Sequence, residues 1–213
     1  MRGVIFDLDG TLVDSAASIH AAVSDLLAGA GLPGLSPAAV RAMVGNGVPV
    51  LIDRVIAASA LDPDRRAGWI ATFLAHYRDR SALTLPYPGA EAALDHLTRE
   101  GLALALCTNK PGSATHQLLQ ALGWQDRFCS VICGDSLPRP KPDPAMLEAA
   151  AQAVGGPAVL VGDSEVDEAT ALAAGLPFVL FTEGYRKKPV ADFAAVARFE
   201  DFADLPGLIA ALG

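Results

Sequence analysis

Short apolar runs alternate along most of the chain with segments whose apolar residues recur at helical spacing. The runs are too short for helices and predict buried β-strands at residues 4–6, 102–107, 130–133, 158–162 and 178–182. The helical spacing predicts helices at residues 90–100, 113–122, 144–154 and 165–174. Because strands that alternate with helices form parallel sheets covered on both faces, the sequence predicts an α/β, Rossmann-like core.

One long segment, from the first strand to residue 84, shows helical patterns but no strand pattern. Its helices are predicted at residues 19–27, 36–43, 50–60 and from 62 onward. We interpret residues 14–84 as a small helical domain inserted into a core that consists of residues 1–13 and 85–213. Hinges near Val13-Asp14 and Leu85-Pro86 would let the inserted domain close over the core and exclude bulk water.

Composition narrows the classes of partner. Of the 213 residues, 52% are hydrophobic and 19% are charged, as in a well-buried globular protein. The formal net charge of −8 leaves no basic face for a nucleic acid. No apolar run reaches transmembrane length, so we expect no membrane partner. The three cysteines form no CxxC pair and no signal-peptide pattern is visible, which favours a reduced, cytoplasmic compartment.

Four polar clusters lie at the ends of predicted strands or in a rigid loop. They are, in chain order, Asp7 with Asp9, Thr108-Asn109-Lys110, Lys141 within a proline-rich loop, and Asp163-Ser164 with Asp167. Right-handed crossovers bring the carboxyl ends of parallel strands to one edge, where such sheets bind their ligands. We therefore expect the four clusters to meet in one site.

Each cluster taken alone also has a purely structural explanation. Thr108 and Asp163 would suit helix caps, and Lys141 would suit a solvated surface charge. Asp7 and Asp9 would suit a surface turn after an edge strand. Four such coincidences on one edge of one sheet are less economical than a single site, which we prefer.

The residue types in this set suit phosphoryl transfer to a carboxylate. A carboxylate that approaches a phosphate dianion meets a repulsion of about 4 kcal/mol per pair of unit charges about 4 Å apart. A magnesium ion held by oxygens of Asp7, Asp9 and Asp163 would offset this repulsion. Lys141 would add positive charge, while Thr108 and the Asn109 amide would donate to phosphate oxygens.

The two carboxylates of the first cluster would then divide the chemistry. A carboxylate that forms an aspartyl-phosphate splits one difficult displacement into two easier ones. Asp9 would protonate the leaving alcohol and later deprotonate the attacking water.

In order and spacing, Asp7-Leu8-Asp9-Gly10-Thr11, Thr108-Asn109, Lys141-Pro142 and Gly162-Asp163-Ser164-Glu165-Val166-Asp167 resemble the four motifs of the haloacid dehalogenase superfamily. The resemblance implies that Asp7 is the nucleophile and that Asp9 is an acid/base that also binds metal through its carbonyl. It implies phosphate binding by Thr108 and Lys141, and magnesium binding by Asp163. Asp167 would orient Lys141 or metal-bound water, with Ser164 in support. Residues 14–84 stand where this family carries its cap domain.

A second set of segments resembles the phosphoglycolate phosphatases of that superfamily. It includes Val44-Gly45-Asn46-Gly47-Val48, Tyr87-Pro88-Gly89 and the segment from Gly134 to Pro138. The resemblance implies hydrolysis of 2-phosphoglycolate to glycolate and phosphate. Because a glycine-rich turn that opens a helix exposes backbone amides, Gly45, Asn46 and Gly47 would bind the substrate's carboxylate. A plain helix break explains the same turn equally well.

Other functions remain open from the sequence. A broader sugar-phosphate phosphatase and a β-phosphoglucomutase-like phosphotransferase share the core motifs. A phospho-accepting receiver module, which signals rather than turns over substrate, would also use an Asp, Thr and Lys pocket. In each enzymatic case the expected partner is a small phosphorylated metabolite, and the chain is expected to be a monomer or homodimer.

Several finer points also stay open. Arg41 and Arg54 are candidate carboxylate partners, and Gly184-Tyr185-Arg186, placed after the last predicted strand, is either a surface loop or a substrate contact. Glu165 has no assigned role. A cis Lys141-Pro142 peptide bond is predicted, since X-Pro bonds adopt cis at low cost.

Overall fold

The computed structural model describes residues 1–213, except for the side chain of Ser81. Six parallel strands form one sheet in the order β5-β4-β1-β6-β7-β8, and two short antiparallel strands, β2 and β3, form a separate ribbon. The strands are β1 (Gly3–Phe6), β2 (Val13–Asp14), β3 (Leu85–Pro86), β4 (Ala103–Cys107), β5 (Ser130–Ile132), β6 (Ala158–Gly162), β7 (Phe178–Phe181) and β8 (Ala197–Phe199). The helices are α1 (Ala16–Gly29), α2 (Pro37–Arg41), α3 (Gly47–Ala58), α4 (Arg66–Asp79), α5 (Ala90–Arg99), α6 (Gly112–Leu122), α7 (Ala145–Val154), α8 (Glu165–Ala174) and α9 (Leu205–Leu212).

The sheet is buried on both faces, which explains why its strands are continuous apolar runs. Strand β1 lies at the centre, pairs with β4 on one side and with β6 on the other, and is fully buried. Apolar residues of α5, α6 and α9 pack on one face, and those of α7 and α8 pack on the other. The predicted α/β architecture with helices on both faces is therefore confirmed. The carboxyl ends of β1, β4 and β6 lie side by side as a consequence.

Helices α1 to α4, which we call the helical unit, have an apolar cluster of their own. It is built from residues of all four helices, among them Ile19, Val40, Ile52 and Phe73. The chain enters the unit through β2 and leaves it through β3, and these strands pair with each other, Val13 opposite Pro86 and Asp14 opposite Leu85. This ribbon was not predicted, because strands of two residues are too short to show an alternating pattern.

Two elements near the carboxyl terminus were also not predicted. Strand β8 joins the sheet beside β7, so the expectation that the strand near residue 180 is the last of the sheet is wrong. Its three residues, Ala197, Arg198 and Phe199, contain a charged residue and form no apolar run. Helix α9 follows, with Pro206 and Gly207 in its first turn masking its helical pattern. Among the described helices, none combines the length and apolarity that a membrane crossing requires.

Candidate active site

Asp7 lies directly after the central strand, in the position predicted for a nucleophile. Its backbone N–H donates to the carbonyl of Val161 at 2.9 Å, which continues the β1–β6 pairing by one residue. Its carboxylate is buried, and Oδ1 lies 3.0 Å from Nζ of Lys141. The sheet thus fixes the backbone of Asp7, while an ion pair orients its side chain.

Lys141 is a fully buried cation held between two carboxylates. Its Nζ donates to Oδ1 of Asp167 at 2.6 Å and also faces Asp7. Burial alone would lower the pKa of Lys141, but the negative charges of Asp167 and Asp7 raise it above its usual value. The amine therefore stays charged throughout the physiological pH range. The Lys141–Pro142 peptide bond is cis, as predicted.

The side chain of Asn109 clamps the backbone on which Lys141 sits. Oδ1 accepts from the backbone N–H of Lys141 at 2.9 Å, and Nδ2 donates to the carbonyl of the same residue at 3.0 Å. Nδ2 also lies 3.2 Å from the carbonyl of Gly45 in the helical unit. Both polar atoms of the Asn109 side chain are therefore engaged within the protein. If Asn109 donates to a phosphate oxygen, as the sequence predicts, it does so through its backbone N–H.

Asp167 lies in the first turn of helix α8 and binds Lys141 from that position. Its Oδ2 accepts from the hydroxyl of Ser164 at 2.6 Å and from the N–H of Ser164 at 3.1 Å, closing a capping box. Its other oxygen, Oδ1, accepts a hydrogen bond from Nζ of Lys141. Of the two roles that the resemblance left open for Asp167, the geometry matches orientation of Lys141, and Ser164 supports it.

Asp163 differs from the other carboxylates because it has hydrogen-bond donors but, among the described residues, no ion-pair partner. Oδ1 accepts from the hydroxyl of Thr11 at 2.9 Å, and Oδ2 accepts from the backbone N–H of Tyr185 at 2.5 Å. Burial, and then the charges of Asp167 and Asp7, raise its pKa well above the ordinary value. A buried carboxylate in this state calls for a cation or a proton.

The donor set fits a divalent metal ion. Oxygens of Asp7, Asp163 and Asp167 lie within 4.8 Å of one another. Asp167 is already paired with Lys141 and caps helix α8, whereas Asp163 has no ion-pair partner among the described residues, so Asp7 and Asp163 are the carboxylates better placed to hold an ion. The site's four carboxyl groups, those of Asp7, Asp9, Asp163 and Asp167, outnumber its two amines, those of Lys110 and Lys141, by two. A hard dication such as Mg²⁺ would balance this excess.

The side chain of Asp9 forms an ion pair with Lys110, which was not predicted from the sequence. Nζ of Lys110 lies 3.0 Å from Oδ1 and 3.2 Å from Oδ2 of Asp9, and it also donates to the hydroxyl of Tyr77 on helix α4. The Asp9 side chain is thus turned toward Lys110, which leaves its backbone carbonyl for the predicted metal contact. The available signal for Lys110 was its place directly after Thr108-Asn109, whereas Tyr77 is one of several apolar and aromatic residues at helical spacing in the helix predicted from residue 62 onward.

The residues of the predicted substrate-binding turn, Gly45, Asn46 and Gly47, do not all face the same cavity. Gly45 and Gly47 line a cavity together with Asp7, Asp9 and Thr108. The Asn46 side chain instead accepts from Arg54 at 2.8 Å, and Asn46 lines a separate outer cleft. The walls that the helical unit contributes to the inner cavity are otherwise apolar and aromatic, and comprise Ile19, Val44, Val48, Leu51, Phe73 and Tyr77.

Four side chains whose roles the sequence did not determine, those of Arg41, Arg54, Arg186 and Glu165, form hydrogen bonds with backbone groups of the protein. Arg54 donates to the carbonyl of Met43 at 2.6 Å, and Arg41 donates to that of Gly184 at 2.9 Å. Arg186 donates to the carbonyl of Thr182 at 3.0 Å. Glu165 accepts from two successive backbone N–H groups, at residues 187 and 188. These contacts give each of the four side chains a structural role.

A family model and curated relatives that resemble this chain are described as hydrolases or phosphatases. A family model described as haloacid dehalogenase-like hydrolase matches residues 1–175. A phosphoglycolate phosphatase of Cereibacter sphaeroides (strain ATCC 17025 / ATH 2.4.3) is 54% identical over 213 residues, 98% of each chain. One of Rhodospirillum rubrum is 45% identical over 96% of this chain and 89% of its own.

Solved structures extend the likeness to three dimensions. The crystal structure of a predicted phosphoglycolate phosphatase from Haemophilus somnus 129pt has a TM-score of 0.93 and 30% identity, and 98% of each chain is covered. CbbY from Rhodobacter sphaeroides in complex with phosphate has a TM-score of 0.83 over 96% of each chain. At 22% identity, that second likeness shows the fold alone.

Proposed function

The chain belongs to the haloacid dehalogenase-like hydrolases, and from that premise we propose that it is a Mg²⁺-dependent phosphatase that converts 2-phosphoglycolate to glycolate and phosphate. The observation that carries the proposal is the surplus of buried carboxylate around Lys141. Four carboxyl groups, those of Asp7, Asp9, Asp163 and Asp167, meet there with only two amines, those of Lys110 and Lys141. Such a site is suited to a divalent ion and an anionic phosphate together.

The substrate assignment is supported by the relatives. Phosphoglycolate phosphatases up to 54% identical match almost the whole chain. The apolar walls of the inner cavity also suit a substrate with a short carbon part better than a sugar, whose hydroxyls need partners. Family membership favours a hydrolase over the receiver-module alternative.

In the first proposed step, Asp7 attacks phosphorus. An Asp7 oxygen forms a bond to phosphorus while the bond to the glycolate oxygen breaks, and Asp9 gives that oxygen a proton. Lys141 balances charge next to Asp7, and the hydroxyl of Thr108 with the backbone N–H of Asn109 would hold phosphate oxygens. Mg²⁺, held by Asp7, Asp163 and the carbonyl of Asp9, would supply charge neutralisation at the phosphoryl group.

The second step reverses the roles of the two acids. Asp9 takes a proton from water, the water oxygen bonds to phosphorus, and the bond to Asp7 breaks, which regenerates the carboxylate. Asp167 keeps Lys141 charged and in place through both steps. We also propose that residues 14–84 act as a cap on the core of residues 1–13 and 85–213. In that role Gly45 and Gly47 bring the start of α3 to the cavity.

Phosphate release from a panel of phosphomonoesters, with 2-phosphoglycolate among sugar phosphates, tests the proposal directly. We expect the highest kcat/KM for 2-phosphoglycolate, and loss of turnover when a chelator removes Mg²⁺. The Asp7→Asn variant should lose at least about a thousandfold in kcat while keeping its fold. Turnover that is indifferent to Asp7→Asn or to chelation would contradict the mechanism, and a sugar phosphate at the head of the panel would contradict the substrate.

A further inference from the structure

Lys110 is the one cationic side chain among the residues that line the inner cavity. Its side chain is 3% exposed, and Asp9 and Tyr77 are its partners. Lys141, the site's other amine, is already shared by Asp7 and Asp167. Lys110 is therefore the cation available to a second negative charge on a substrate in this cavity.

The other candidate cations near the site are engaged elsewhere. Arg54 donates hydrogen bonds to the carbonyl of Met43 and to the side chain of Asn46, outside the inner cavity. Arg41 donates to the carbonyls of Glu183 and Gly184 and lies over the ring of Tyr185 at 5.2 Å. Neither can reach a substrate without giving up these contacts.

Building on the proposed function, we propose that Lys110 binds the carboxylate of the substrate and so selects phosphomonoesters that carry a second anionic group. An ammonium has three N–H donors. Lys110 gives one to Tyr77 and faces both oxygens of the single Asp9 carboxylate. One of the two Asp9 contacts can pass to the substrate's carboxylate while Asp9 keeps the other.

The arrangement links recognition to the acid/base group. The carboxylate of Asp9 supplies the opposite charge that a buried ammonium requires, so recognition and proton transfer share one pair of residues. Tyr77 stacks on Phe73 at a centroid distance of 5.5 Å, so the helical unit fixes one side of the amine. A substrate carboxylate on Lys110 frees one oxygen of Asp9 for proton transfer, whereas a phosphomonoester without a second anionic group leaves both oxygens in contact with Lys110.

The test compares 2-phosphoglycolate with 2-hydroxyethyl phosphate, a similar ester without the carboxylate. In the unmodified enzyme kcat/KM should favour 2-phosphoglycolate, and in Lys110→Met this ratio should fall by at least about tenfold, as expected for loss of a charged hydrogen bond. Lys110→Arg should keep part of the preference. Lys187→Met, which removes an exposed lysine, should keep all of it.

Two failures are distinguishable. If the unmodified enzyme shows no preference for the carboxylate ester, the proposed substrate is wrong. If it shows one and Lys110→Met lowers both rates equally, Lys110 only positions Asp9 and this inference is overturned.

A structure of the unmodified protein with 3-phosphonopropionate gives an answer even if Lys110→Met does not fold. The carboxylate of this non-hydrolysable analogue should lie within hydrogen-bond distance of Nζ of Lys110. A carboxylate bound at the start of α3 and away from Lys110 would overturn the inference.

Discussion

The backbone N–H of Tyr185 donates to Oδ2 of Asp163 at 2.5 Å. The side chain of the same tyrosine reaches the entrance of the helical unit, where its hydroxyl accepts from the N–H of Ser15 at 2.7 Å and donates to Oδ1 of Asp14 at 2.8 Å. Asp14 belongs to β2, one strand of the ribbon that leads into the unit. Tyr185 therefore joins a carboxylate suited to metal to the entrance of the helical unit.

Replacing Tyr185 by phenylalanine should weaken this connection. The change leaves the buried N–H of Ser15 without its acceptor, at a cost of about 1–3 kcal/mol. It also removes one donor from Oδ1 of Asp14, which keeps the N–H of Ala16. We expect a lower midpoint in chemical denaturation and a higher KM. Tyr87→Phe is the matched control, because the buried hydroxyl of Tyr87 makes no hydrogen bond within the described part of the chain. Equal losses in the two variants would contradict the role given to Tyr185.

Asp167→Asn should uncouple Lys141 from helix α8. The buried amine would keep only Asp7 as a charged partner, and the cap of α8 would lose its carboxylate. Removing one partner from a buried ion pair costs roughly 3–5 kcal/mol, so a large fall in unfolding free energy is expected. kcat should fall as well. Asp53→Asn, in an exposed pair with Arg66, is the control and should change stability by less than about 1 kcal/mol.

Stabilisation by Mg²⁺ should depend on pH. Burial raises the pKa of Asp7 to about 6, against the pull of Lys141 and with help from Asp167. In the metal-free protein Asp7 is therefore mostly protonated near pH 5 and mostly ionised near pH 7.5, and protons compete with the ion at the lower pH. We expect saturating Mg²⁺ to raise Tm more near pH 7.5 than near pH 5.

The raised pKa of Asp7 also determines how the stability of the metal-free protein changes with pH. A carboxyl whose pKa is higher in the folded than in the unfolded chain adds stability at low pH, and this contribution is lost as pH rises through about 6. The loss for Asp7 amounts to about 3 kcal/mol at most. Asp7→Asn should flatten both pH profiles in thermal unfolding. A Mg²⁺ effect on Tm that is equal at the two pH values would refute the assignment of Asp7 as a ligand.

Gly184→Ala should distort the candidate metal site through steric overlap. A Cβ at residue 184 would overlap the side chain of Asp163 and the carbonyl of Gly10. We expect a lower Tm and weaker Mg²⁺ binding by calorimetry. Gly207→Ala in helix α9 is the matched control, since a Cβ there meets no atom within 4 Å. That variant should be neutral or more stable by about 0.5–1 kcal/mol. If Gly184→Ala binds Mg²⁺ normally, Asp163 is not a ligand.

The central part of the fold was predictable because its signals are local. Strand β6 and helix α8 have the predicted bounds, since a pure apolar run and a Ser164–Asp167 capping pattern mark them in the sequence. The convergence of Asp7 with Asp163 was predictable because both follow the carboxyl ends of parallel strands, β1 and β6. Strand β8 was missed because its pairing with β7, and not its composition, makes it a strand.

The supporting contacts of the site could not be predicted, because they join residues far apart in sequence. Lys110 meets Tyr77 across 33 positions, and Tyr185 meets Ser15 across 170. Nothing near either residue in the chain indicates its partner. The side-chain role of Asn109 was missed for a similar reason, as its clamp on Lys141 depends on the path of the intervening loop.

The pairing of Val13–Asp14 with Leu85–Pro86 places the two ends of the helical unit beside each other. Replacing everything between them with a longer, shorter or unrelated segment would leave the register of the six-stranded sheet untouched. The reactive groups at the strand ends could then be combined with many different lids. Grafting the corresponding segment of another hydrolase onto this ribbon is accordingly a direct route to redirecting substrate choice without rebuilding the reaction.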